Sequence, residues 1–153
     1  MIQQQGFRYF PLVALIAVLS GCGSADSAHS NTVRVNQICG DKPNCVSSLD
    51  NREEHALAPF ELSDTGLEHW TDIEQLALTL PGASLAKRSD NYLHIECTST
   101  VFRFVDDFEV QQQAGQLIVR SESRTGYSDF GVNRERAEKF RALLNEAGYL
   151  KEN

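Results

Sequence analysis

Between Tyr92 and Glu122 apolar residues recur at every second position, and that alternation limits the possible folds more than any other feature of the chain. A strand sends successive side chains to opposite faces. Leu93, Ile95 and Cys97 therefore share one face while His94, Glu96 and Thr98 take the other. The next segment sets Phe102, Phe104, Phe108 and Val110 against Arg103, Val105, Asp107 and Glu109. After a turn at Gln113-Ala114-Gly115-Gln116, Leu117, Val119 and Ser121 alternate with Ile118, Arg120 and Glu122. Successive segments of this kind predict antiparallel strands with one buried, apolar face and one solvated, charged face. A short strand over residues 83–88, ahead of an Asp90-Asn91 turn, supplies the fourth.

Helical patterns bracket the strands. Thr65-Gly66-Leu67-Glu68 has capping-box spacing, with Thr65 at the N-cap. Trp70, Ile73, Ala77 and Leu80 follow at helical intervals up to Pro81-Gly82. Val132, Arg136, Phe140, Leu143, Leu144 and Ala147 place a mostly apolar stripe on a last helix, which Gly148 closes. The expected fold is α+β, in the order α-β-β-β-β-α: a four-stranded antiparallel sheet with two helices packed on one face. Residues 38–60 show no sustained period and hold Gly40, Asp41, Pro43 and Pro59, so an irregular arm should precede the sheet. The single folded domain is expected over residues 37–150.

The first 36 residues carry a different message. Arg8 precedes an apolar run over residues 10–19, about half of the roughly 20 residues that a bilayer crossing needs. The run ends in Leu19-Ser20-Gly21-Cys22, which resembles the lipobox of bacterial lipoproteins. The resemblance implies a signal peptide over residues 1–21, its removal, and diacylation of Cys22 with chains such as palmitate. Residue 23 is Gly rather than Asp, which by the same resemblance implies the outer membrane, facing the periplasm. Residues 22–36 are small and polar and read as a lipidated flexible tether, so a membrane is the first expected partner.

Fourteen basic against 21 acidic residues leave a net charge of −7, and an acidic chain lacks the basic face that nucleic acid requires. No cofactor is expected. With Cys22 lipidated, three thiols remain for an oxidising compartment. Cys39 and Cys45 lie 6 apart across the turn-prone Asp41-Lys42-Pro43-Asn44 and form the expected disulfide, with a bridge from either to Cys97 the alternative. Cys97 otherwise reads as a small buried hydrophobe. The cysteines contain no CxxC pair, which argues against a metal site.

Several motifs together resemble one family. They are Pro43-Asn44-Cys45-Val46-Ser47-Ser48, His55, Pro59-Phe60, Tyr92-Leu93-His94 with Glu96-Cys97, Phe102-Arg103-Phe104-Val105-Asp106-Asp107, Val119-Arg120-Ser121 and the stretch over residues 123–134. In order, and over nearly all of the folded part, they are similar to the domain of unknown function 1499. That resemblance implies one domain and carries no activity with it.

The chemistry must then be weighed residue by residue. Cys45 or Cys97 with His55 or His94 could form a nucleophile pair, but a thiol in the periplasm needs a reductant to stay free. Ser47 and Ser48 lack a G-x-S-x-G frame, and Asp106 and Asp107, adjacent on a strand, point to opposite faces. The candidate ligand-binding residues are Arg103, Asp107, Arg124, Tyr127, Asp129, Asn133 and Arg134, gathered around the corner where a strand meets the last helix. Arginines beside a helix N-terminus can hold an anion. The competing reading makes the corner structural: Asp129 or Ser128 caps the helix, and the arginines pair with Asp106 and Asp107. In the same way Arg103, Asp107, Glu109, Arg120 and Glu122 can form cross-strand ion pairs. The expected function is a non-catalytic envelope domain that binds an anionic small molecule or an envelope protein. An interaction module of a membrane complex is the alternative, and a hydrolase ranks last. A basic pocket at Arg124 and Arg134 would favour the first, an exposed apolar patch the second, and a cleft joining Cys45, His55 and a carboxylate the third.

Overall fold

A computed structural model describes Met1 and residues 32–152. Its elements run β1 (Cys45–Ser47), β2 (Phe60–Glu61), α1 (Asp64–Glu68), α2 (Trp70–Leu78), β3 (Ala83–Ser89), β4 (Tyr92–Thr98), β5 (Val105–Gln113), β6 (Gln116–Ser123) and α3 (Val132–Glu146). The sheet order is β1-β6-β5-β4-β3, with β2 also paired to β6. Every strand pairing is antiparallel. The α+β class and the four expected strands are present, as β3 to β6. The sheet has six strands rather than four because two short pieces of the supposed irregular arm pair with the outer edge of β6. There β1 lies opposite Arg120, Ser121 and Glu122, and β2 opposite Gln116 and Leu117. Pieces of three and two residues are too short to show a period, yet they satisfy edge groups that would otherwise stay unpaired.

The helix count also differs. Ser63 rather than Thr65 is the N-cap of α1, its hydroxyl accepting from the Gly66 N–H at 3.0 Å and donating to the Gly148 carbonyl at 2.8 Å. A Cβ on Gly66 would stand 2.2 Å from the Tyr149 carbonyl oxygen, so the chain's C-terminal segment sets the position of this turn. His69, at φ −114° and ψ 42°, then breaks the expected single helix into α1 and α2.

One face of the sheet carries the apolar core. Leu93, Ile95, Phe108, Val110, Leu117 and Val119 meet Ile73 and Ala77 of α2 and Ala137, Phe140 and Leu144 of α3. Phe140 packs edge-on against Phe108 with ring centroids 5.5 Å apart. Burying side chains of this size contributes about 1.5–3 kcal/mol each. Phe102 and Phe104, expected on this face, are not part of it: they are 74% and 57% exposed in the loop between β4 and β5. Arg103 between them sits at φ +56°, and a left-handed residue interrupts the pleat, so the alternation does not carry across it.

The opposite face is polar, as expected, but it is not solvated. Tyr92, His94, Asp107, Glu109, Ile118 and Arg120 are all buried. They are covered by a strap that includes residues 34–39. Within it Val35 is fully buried against Tyr92 and Ile118, the Arg34 N–H donates to Glu109 Oε1 at 3.0 Å, and Asn36 bonds Gln111 at 2.7 Å. Residues 34–36, expected in the tether, thus belong to the folded body.

Candidate functional site

The corner before α3 is built by Asp129. Its carboxylate accepts from the Gly131 N–H at 3.0 Å and the Asn133 N–H at 2.8 Å. Phe130 and Gly131, at φ +56° and +87°, turn the chain back so that this carboxylate reaches the first turn of the helix. An internal anion therefore answers the N-terminal N–H groups that an external one would need.

The two arginines expected to converge there turn apart. Arg124 lies on the strap-covered face, where Nε sits 3.0 Å from Asp107 Oδ2 and NH2 lies 2.7 Å from Asp107 Oδ1 and 2.6 Å from Glu96 Oε1. Arg134 donates to backbone carbonyls of the turn before β2, at 2.7 Å to Ala56 and 3.1 Å to Glu54. The expected anion pocket is not formed. Asn133 is buried as a bracket: it accepts from the Ser121 hydroxyl at 2.6 Å and donates to Ser123 Oγ at 2.9 Å and the Asn44 carbonyl at 3.0 Å. Arg136, not among the candidates, closes the group by pairing with Asp106 at 2.7 Å. Tyr127 and Arg103 are exposed and lie outside these networks.

Asp107 is the hub of the covered face. His94 Nε2 approaches Oδ1 to 2.6 Å beside Arg124. Burial opposes ionisation, but the His94 and Arg124 hydrogen bonds outweigh it and hold the carboxyl down at about 2. Beside it, Glu109 accepts a short hydrogen bond from Tyr92. Burial, then that bond, pushes the Tyr92 hydroxyl well above its ordinary range. Arg120, expected to stand in solvent, is 1% exposed and pairs with Glu122 at 2.8 Å, while Arg34 reaches the same carboxylate at 2.5 Å. Arg120 Nε and NH2 have no hydrogen-bond partner among the described residues. The cross-strand ion pairs expected among Arg103, Asp107, Glu109, Arg120 and Glu122 do not form with those partners: Arg120 pairs with Glu122 on its own strand, Asp107 takes His94 and Arg124, and Glu109 is held by the Tyr92 hydroxyl and the Arg34 N–H. His94, weighed above only as a base for a thiol, and Glu96 and Arg34 are absent from the candidate ligand-binding set. The alternation around Tyr92 places the first two beside Asp107 once register is known; nothing marks Arg34.

The sulfur chemistry is closed in the same way. Cys39 and Cys45 form a disulfide with Cα atoms 5.7 Å apart. The Cys39 N–H bonds Asp50 at 3.0 Å, and Arg52, bonded to Asp50 and to the Cys39 carbonyl, holds the Asp50 carboxyl far below its ordinary range. Cys97 is a buried free thiol, pushed by burial up to about 11, the reverse of an activated nucleophile. His55 is buried with Nδ1 2.9 Å from the Cys45 carbonyl oxygen, a backbone contact rather than a catalytic one.

One group of side chains is left without a role in the fold. The β4–β5 loop and the β6–α3 loop leave the same end of the sheet, where Thr98 pairs with Val105 and Asp106 with Ser123. They expose Val101, Phe102, Phe104, Tyr127 and Phe130, the last at 95%, with Val132 alongside. The Phe102 and Phe104 rings stack on each other at 5.8 Å, outside the core. Exposed apolar residues also occur singly at Ile38, Leu49, Leu67 and Leu85, as is ordinary; those of the two loops are grouped at one end of the sheet.

Fold and side chains together define an α+β domain whose ionic chemistry is folded inward under a stapled strap and whose aromatic groups face outward at one end. The chain belongs to the family described as Protein of unknown function (DUF1499), whose model matches residues 37–144. No curated protein matches it. Among the described residues no helix is long and apolar enough to cross a membrane.

Proposed function

We propose that this chain is a lipoprotein of the bacterial cell envelope, held by a lipid on Cys22 at the periplasmic side of the outer membrane, and that its folded part is a non-catalytic interaction module. The observation that carries the second half is the exposed aromatic end: Val101, Phe102, Phe104, Tyr127 and Phe130 stand in solvent while the charged residues of the covered face are tied to one another. A buried, high-pKa Cys97 and a disulfide-bonded Cys45 give no support to thiol catalysis. The Cys22 lipobox resemblance and the polar tether behind it support the first half.

Two measurements test the reading. Metabolic labelling with a palmitate analogue should mark the wild type and leave Cys22→Ala unmarked; equal labelling removes the anchor. A photo-crosslinking amino acid at Phe130 should give adducts in cells that one at Leu85, exposed on the edge strand β3, does not. Equal yields at the two positions would remove the interaction surface.

A further inference from the structure

The strap runs into the domain from its aromatic end. Val35 and Asn36 form the tip of a turn closed by the Gln37 N–H on the Arg34 carbonyl at 2.8 Å, and Val35 lies on Tyr92 and Ile118. Both flank Gln111, near the end of the sheet that carries the two hairpin turns. Arg34 lies toward the opposite, aromatic end: its N–H is on Glu109, and its guanidinium is on Glu122, the register partner of Asp107. After the turn the chain comes back to Cys39, bonded to Cys45 opposite Glu122. Both limbs of the turn therefore point toward the loops that carry Phe102, Phe104, Tyr127 and Phe130.

The chain length ahead of the strap makes this direction matter. Residues 23–31 separate Cys22 from the described chain and span at most about 30 Å when fully extended. The charge at this end matters too. The chain carries −7 overall, yet within residues 99–104 and 125–131 the only acid is Asp129, whose carboxylate caps α3. The one cation there, Arg103, is exposed. Two loops that carry exposed aromatic rings and an exposed arginine, and hold no free acid of their own, have the composition that settles in a lipid headgroup layer.

We infer that the aromatic end rests on the bilayer itself, with Phe102, Phe104, Tyr127 and Phe130 in the headgroup layer and Arg103 on anionic lipid phosphates. The inference rests on the Cys22 anchor proposed above and gives the tethered domain one orientation, with the C-terminal end of α3 and the hairpin turns directed away from the membrane. The test uses the full lipidated chain in vesicles of phosphatidylcholine and phosphatidylglycerol, with and without brominated acyl chains. Trp70→Phe removes the native indole, and Tyr127→Trp or Leu85→Trp then supplies a single reporter. Bromolipid should quench the indole at position 127 several-fold more than the one at position 85, and Arg103→Glu should reduce that difference. Intact mass read on the same samples separates the two ideas. An acylated chain with equal quenching at 127 and 85 overturns the docking and leaves the anchor standing; a chain without acyl mass overturns the anchor, and the docking falls with it. Should the crosslinks from Phe130 run to a protein and not to lipid, the bilayer is the wrong occupant.

Discussion

Asp107→Asn should destabilise the protein, and the size of the loss should depend on pH. Asp107 titrates near 2 in the folded protein against 3.8 as an ordinary carboxyl. Each pH unit of that difference is worth about 1.4 kcal/mol, so ionised Asp107 contributes about 2 kcal/mol to folding. The sign follows from the lowered value: the contribution is complete above about pH 5 and is lost as pH falls toward 2. Above that window the variant also leaves Arg124 with Glu96 alone and His94 without its acceptor, so the total cost should reach about 3–5 kcal/mol, as for a broken buried pair. Denaturant midpoints for wild type and variant, measured from pH 7 down to pH 2.5, give the difference directly. It should be flat at neutral pH and shrink by about 2 kcal/mol across the acid limb. A difference that stays constant to pH 2.5 would show that Asp107 is not held ionised by His94 and Arg124.

The remaining expectations read other parts of the structure. Phe140→Ala should cost about 3–5 kcal/mol while Phe104→Ala costs under about 1, because only the first ring is in the core; equal denaturant midpoints would contradict the exposed loop. Arg120→Ala should cost about 3 kcal/mol or more, since Glu122 and the covered face lose a buried cation, whereas Arg103→Ala should stay within about 0.5. Non-reducing mass spectrometry should find Cys39 joined to Cys45 and Cys97 unreactive to alkylation until the protein unfolds. The double substitution Cys39→Ser/Cys45→Ser should lower stability by about 2 kcal/mol, the amount for a short closed loop. For Arg124→Gln/Arg134→Gln, a thermal-shift titration with phosphate at constant ionic strength should match the wild type's response, because Asp129 already occupies the helix terminus.

How far the sequence reveals this molecule depends on how local the cause is. Alternation located β4 and β6 because each residue there obeys the pleat. It failed at Phe102 and Phe104, where one left-handed residue, Arg103, separates a strand pattern from a strand. The capping acid Asp129 was legible because capping acts over four residues. The directions of Arg124 and Arg134 were not, since one is set by cross-strand register and the other by a turn some 80 residues away in the chain. Least legible was the burial of the charged face. It depends on residues 34–36, whose small and polar character matches a tether in every local respect; only their landing place on Tyr92 and Ile118 distinguishes them.

The Cys39–Cys45 bond also decides how the domain responds to being pulled. Tension applied to the chain ahead of Thr32 reaches the Arg34–Glu122 and Val35 contacts first, and these can peel one at a time. Peeling stops at Cys39, where the bond passes the force across residues 40–44 directly to β1 and from there to β6. β6 is the strand with most neighbours, paired to β5 on one side and to β1 and β2 on the other. Residues 32–38 can therefore be drawn out to at most about 25 Å while the sheet, the core and the aromatic end keep their arrangement. With the bond reduced, the same pull would draw out the segment up to Asn44 and act on the hydrogen bonds of β1 from its end, where a three-residue strand gives least resistance.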